Sequence, residues 1–79
     1  MESQPRELLY VYALQNAVKY GDLPKSGTVL GKLLGEHPEY RAQAREIRAI
    51  VDAVIAEVAA LTPEERMQKL QDLAPNLVD

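Results

Sequence analysis

Glycines 27, 31 and 35 recur at steps of four in GTVLGKLLGE, and Lys32 directly follows the middle one. A glycine-lysine pair of this kind is where a phosphate loop would end. Such a loop needs four residues between its glycines, so that successive backbone N–H groups curl around the phosphate. It also needs a serine or threonine after the lysine to reach magnesium. Here three residues separate Gly27 from Gly31, Leu33 follows Lys32, and no strand pattern precedes them. The stretch therefore fails as nucleotide chemistry. Small residues four apart also join helices in membranes, but no apolar span of about twenty residues surrounds these. A helical role remains: Gly27 in the capping region, Gly31 where a neighbouring helix comes close, and Gly35 as a C-cap.

His37 is the only histidine, and cysteine is absent. A metal or catalytic role for His37 needs convergent partners. Glu36 and Glu39 beside it read more simply as first-turn acids at a helix N-terminus. Two serines near helix ends and one histidine cannot be assembled into a nucleophile and its base, so the chain by itself is expected not to be an enzyme and to hold no metal. The aromatic residues are Tyr10, Tyr12, Tyr20 and Tyr40, mostly at helical core spacing. Packing with the hydroxyl at the rim suits them better than stacking on bases.

One constellation carries chemistry. Arg41, Arg45 and Arg48 follow i, i+4, i+7 spacing and so stack along one side of a helix, while Lys19, Lys25 and Lys32 come from three successive segments and are able to converge. A spread of mobile cations binds phosphates through counterion release without reading bases. The competing reading is a solvated helix face neutralised by Glu39, Glu46 and Asp52, which composition alone favours. A different class of function is a protein-docking module using an exposed apolar patch of Leu23, Val29, Leu33 and Tyr40.

These side chains must be positioned by helices. Pro5 suits a first turn, with Ser3 or Gln4 as cap, and the first helix is predicted over about 5–20. It is apolar on more than one side, which places it between other elements. Gly21 is its predicted left-handed C-cap, and GDLPKSG reads as a loop. Ser26 is the expected cap of a short helix over about 27–34. The longest helix is expected over about 38–61, starting at Pro38 or Ala42, with Ile47, Ile50, Val51, Val54, Ile55, Val58 and Leu61 at three- and four-residue steps. Thr62-Pro63-Glu64-Glu65 has the form of a capping box and opens a fourth helix, about 63–73, that uses Met67, Leu70 and Leu73 and is stopped by Pro75. The expectation is a small all-α bundle of four helices in one domain, 1–79, whose residues 74–79 lead towards a linker.

The totals agree. Seventy-nine residues, 47% hydrophobic and 27% charged with neither Phe nor Trp, make one small domain richer in helix than strand formers. Absent cysteines and the lack of a leader or membrane span fit a cytoplasmic setting. Net charge is -3, but residues 1–48 hold seven Lys/Arg against six Asp/Glu and residues 49–79 hold two against six. The cations are therefore concentrated where the glycines and tyrosines are.

The order of "YALQNAVKYG" (12–21), "VLGKLLGEHPEYR" (29–41) and "LTPEER" (61–66) resembles the N-terminal extension of archaeal and eukaryotic-type glutamyl-tRNA synthetases. Asp22 stands where a second glycine is usual, Tyr40 where leucine is usual, and Ala59-Ala60 where Val-Asn is usual. The resemblance implies a non-catalytic appended domain of an enzyme that ligates glutamate to tRNA with ATP and magnesium in a separate catalytic part. That part's His-x-Gly-His and Lys-Met-Ser-Lys-like signatures are absent here, so no cofactor is expected in this segment. The extension is also akin to the tRNA-contacting tail of the GatB amidotransferase subunit and to the N-terminal region of glutaminyl-tRNA synthetases. By that analogy Lys25, Gly31, Lys32, Arg41 and Arg45 are implied to approach the tRNA backbone. The implied partners are tRNA and, alternatively, another synthetase or complex subunit.

Overall fold

The structure, a computed structural model, describes residues 5–75. The predicted caps Ser3 and Gln4, and most of the predicted tail, lie outside the described residues. Helix α1 spans Pro5–Tyr20, α2 Ser26–Glu36, α3 Ala44–Ala59 and α4 Pro63–Leu73, with a 3₁₀ segment, Pro38–Gln43, between α2 and α3. The all-α bundle of four helices read from the sequence is the observed fold, and the described residues include no strand.

α1 is the element the others pack against, touching α2, α3 and α4. Its buried residues Leu9, Ala13, Leu14 and Ala17 span a wide arc, as a helix flanked on several sides requires. The small side chains Ala13 and Ala17 let a neighbour come close, and they belong to the same cluster as Val58 of α3 and Leu70 of α4. A second cluster joins Leu9 to Val29 and Leu33 of α2 and to Ile47, Val51 and Val54 of α3. Tyr10 and Ile55 border both clusters. No polar or charged side chain is buried among the described residues, so the interior is held by apolar burial alone.

Several boundaries differ from expectation for identifiable reasons. Gly35 does not end α2; the helix runs one residue further, and His37 caps it with φ -131 and ψ 74 while its N–H donates to Leu33 O at 2.8 Å. Pro38 forces this, because its ring excludes the α conformation for the residue before it. Gly31 faces open space, with nothing within 4 Å of where a Cβ would sit, so no helix approaches it. Lys25, not Ser26, is the N-cap of α2, and no side chain caps that end. The long third helix is in two parts, 3₁₀ over Pro38–Gln43 and α only from Ala44. Of the apolar positions assigned to α4, Leu70 is buried, whereas Met67 and Leu73 are exposed. Gly21 does adopt the left-handed region, φ 74, and its N–H closes the end of α1 on Ala17 O at 2.9 Å.

The Thr62-Pro63-Glu64-Glu65 box is complete. Glu65 N–H donates to Thr62 Oγ1 at 3.2 Å, and the Glu65 carboxylate accepts from Thr62 N–H at 2.9 Å. The next residue closes the preceding helix as well. Arg66 Nε donates to Val58 O at 3.1 Å, beside the Leu61 N–H that this carbonyl also accepts, and its Nη2 donates to Ala59 O at 3.5 Å.

Candidate nucleic-acid interface

α1 and α2 pack side by side, and the crease between them forms a shallow groove of about 160 Å³. Tyr12, Gln15, Lys19 and Tyr20 line it from α1, and Thr28 and Lys32 from α2. Lys19 is in the last turn of α1, where a cation complements the helix dipole. Lys32 sits one turn before the end of α2. Thus two of the predicted cations, thirteen residues apart in the chain, face one depression.

Tyr12 organises this groove. Its hydroxyl donates to Glu36 Oε1 at 3.0 Å, and Lys32 Nζ lies 5.1 Å from its ring centroid. Lys32 Nζ is also 4.0 Å from Glu36 Oε2, a loose pair between half-exposed groups. A contact of that length in water contributes about 0.3–0.5 kcal/mol, so Lys32 stays available to an incoming anion. Partial burial, then the hydrogen bond to Glu36 and its charge, push the Tyr12 hydroxyl from 10.0 up to about 12. Tyr12 is therefore neutral and a donor across the physiological range. Glu36 is not a first-turn acid as read from sequence, since it closes α2 and accepts from α1.

The other cations lie elsewhere. Lys25 caps α2, exposed, with its carbonyl accepting from Thr28 N at 3.0 Å and Val29 N at 3.2 Å. Arg41 belongs to the 3₁₀ segment, so the three arginines do not form one continuous α-helical row. Arg45 and Arg48 follow on α3, exposed, on the flank away from its core residues Ile47, Val51 and Val54 at about 100° per residue. Among the described residues none of the three arginines forms an ion pair within 4.0 Å with Glu39, Glu46 or Asp52. Glu39 instead meets His37, Oε2 to Nδ1 at 3.4 Å, and the His37 ring lies 5.8 Å from that of Tyr40.

The proposed docking patch does not exist as one surface. Val29 and Leu33 are 3% and 0% exposed and form core with Leu9 and Val51, whereas Leu23 is 39% exposed and Tyr40 half-buried. Nor do the described residues contain a group of three His, Cys, Asp or Glu placed to hold a metal ion, and none of their helices is long and apolar enough to cross a membrane. Sequence reading missed Tyr20, which is 64% exposed at the edge of the groove with Lys19 Nζ 5.4 Å from its ring centroid. The signal was its place as the last residue of α1, beyond the final buried position, Ala17.

Comparison with known proteins decides the relationship. The chain is 45% identical over 78 residues to the glutamate–tRNA ligase of Methanoculleus marisnigri and 52% over 69 residues to that of Methanoregula boonei. It is 45% identical over 73 residues to that of Pyrobaculum aerophilum. The chain belongs with one segment of the glutamate–tRNA ligases. These matches cover 99%, 87% and 92% of it, so every glutamate–tRNA ligase similarity here takes in most of the four helices. The segment spans only 14%, 11% and 13% of those same ligases. No family profile and no solved structure matches the chain.

Proposed function

We propose that this chain is a non-catalytic helical domain, N-terminal to the catalytic part of a glutamate–tRNA ligase, that adds affinity for tRNA through phosphate contacts. ATP and magnesium belong, in this reading, to the catalytic part. The observation that supports it best is the pairing of Lys19 and Lys32 in one groove, each from a different helix. Lys25, Arg41, Arg45 and Arg48 extend the cationic surface, and Gly31, exposed and without a side chain, permits close approach of a backbone beside Lys32. Gly31 contributes by shape, because mid-helix its N–H is already used.

The expected affinity is weak, about 10⁻⁴ M, as for other non-specific phosphate binding. That is sufficient for a tethered domain, because a short linker holds its partner at an effective concentration of about a millimolar. The test is a titration of isotope-labelled chain with tRNA at two salt concentrations. Amide shifts should concentrate within residues 19–48 and weaken as salt rises. Shifts that avoid those residues, or binding indifferent to salt, would remove the phosphate reading and return attention to docking of another protein or to a purely structural role.

A further inference from the structure

We propose that the groove between α1 and α2 seats one unpaired RNA base, stacked on Tyr20, while Lys19 and Lys32 hold the phosphates on either side of it. This rests on the RNA-binding reading above and adds to it a site for a base. A surface that only gathers phosphates needs cations and no aromatic ring. This groove contains two tyrosines, and one of them, Tyr20, leaves 64% of its surface open to solvent.

The remaining walls fit the same occupant. The carboxamides of Gln15 and Asn16 are half-buried in the groove and have no hydrogen-bond partner among the described residues. Carboxamides of this kind can both donate to and accept from a base edge. At about 160 Å³ the groove is smaller than the roughly 300–1,000 Å³ of pockets for drug-sized molecules, and matches a single planar ring system better. Lys19 now lies over the Tyr20 ring, its Nζ 5.4 Å from the centroid, an exposed cation–π contact that is weaker than a stacked base. The base therefore displaces the ammonium, which moves to the adjoining phosphate. Glu36, hydrogen-bonded to Tyr12 and beside Lys32, opposes the phosphate, and it limits the site to weak binding. A duplex offers phosphates and closed base pairs, so the base seat selects a single-stranded or flipped nucleotide.

The experiment compares three labelled RNAs in low salt by fluorescence anisotropy: a single-stranded octamer, an octamer of equal charge with abasic sugars, and a blunt duplex. The base-bearing octamer is expected to bind about 5-fold more tightly than the abasic one, the low end of the range for one stacked base. Tyr20→Ala should abolish that difference and leave abasic binding unchanged, and Tyr20→Phe should retain it. Since Tyr20 is exposed, neither change threatens the fold, which a melting curve confirms. Equal binding of base-bearing and abasic octamers overturns the base seat while leaving the phosphate reading intact. If no RNA binds at all, the phosphate reading falls and the base seat falls with it.

Discussion

The Tyr12 hydroxyl donates to the Glu36 carboxylate across 3.0 Å, tying the middle of α1 to the last residue of α2. Partial burial first, and then this bond and the Glu36 charge, hold Tyr12 neutral up to high pH. Because the Tyr12 pKa is raised from 10.0 to about 12 in the folded protein, the unfolded chain loses this proton first. The stabilisation is fully present below pH 10 and is lost as pH rises towards 12. Tyr12→Phe should cost about 1 kcal/mol at neutral pH. It should also abolish this group's share of the alkaline destabilisation. Urea midpoints of the two proteins between pH 7 and 12 measure both effects, and parallel pH profiles would refute the assignment.

The glycines divide by conformation. Gly21 has φ 74, where a side chain is strained, so Gly21→Ala should destabilise by about 1 kcal/mol. Gly31 and Gly35 are helical and face open space. Gly31→Ala and Gly35→Ala should each stabilise by about 0.4–1 kcal/mol. Thermal melts of the three variants check the signs. Any loss of tRNA affinity in the more stable Gly31→Ala protein then reports on close approach at that position.

Leu33 is fully buried against Leu9 and Val51, so its truncation acts on the fold before any partner. Leu33→Ala should cost about 2–5 kcal/mol. At about 0.05–0.15 kcal/mol per residue, total stability in a chain this short is about 4–12 kcal/mol, so the loss takes a large share of it. Thermal melts followed by circular dichroism should show a markedly lowered midpoint, and a variant melting with the parent would mean that the α2 packing is misassigned.

Arg66 links the turn to both of its helices. Its guanidinium reaches Val58 O and Ala59 O at the end of α3 from the first turns of α4. Arg66→Ala should cost about 1 kcal/mol, and Arg66→Lys should recover little, because an ammonium does not reproduce the two-donor fork. Thr62→Ala, which removes the cap on the other side, should cost a similar amount, about 1 kcal/mol. Since the two act at one turn, the double variant measured by urea unfolding should depart from additivity.

The helices were legible because their period is local: the valines and isoleucines of α3 and the capping box at Thr62 announce themselves within a few residues. The end of α2 was less so, because Gly35 and Pro38 both signal a stop and only the steric reach of Pro38 onto His37 decides between them. The candidate site was harder. That Lys19 and Lys32 meet depends on how α1 lies against α2, which no spacing encodes. Val29 and Leu33 read as surface candidates because a helix rich in glycine gives little indication of which stripe is buried. Tyr12 and Glu36 are twenty-four residues apart, and nothing near either marks the other as its partner.

The interior is divided, with one cluster under α2 and the other under α4, and only α1 and α3 run through both. Such a chain is hinged along a spine, so each outer helix is able to peel away with its own half of the apolar contacts while the other half holds. A ligand lying across α1 and α2 therefore works as a strap on one side only. Its grip should register as slowed amide exchange throughout α2, with α4 exchanging at the same rate whether the strap is fastened or not.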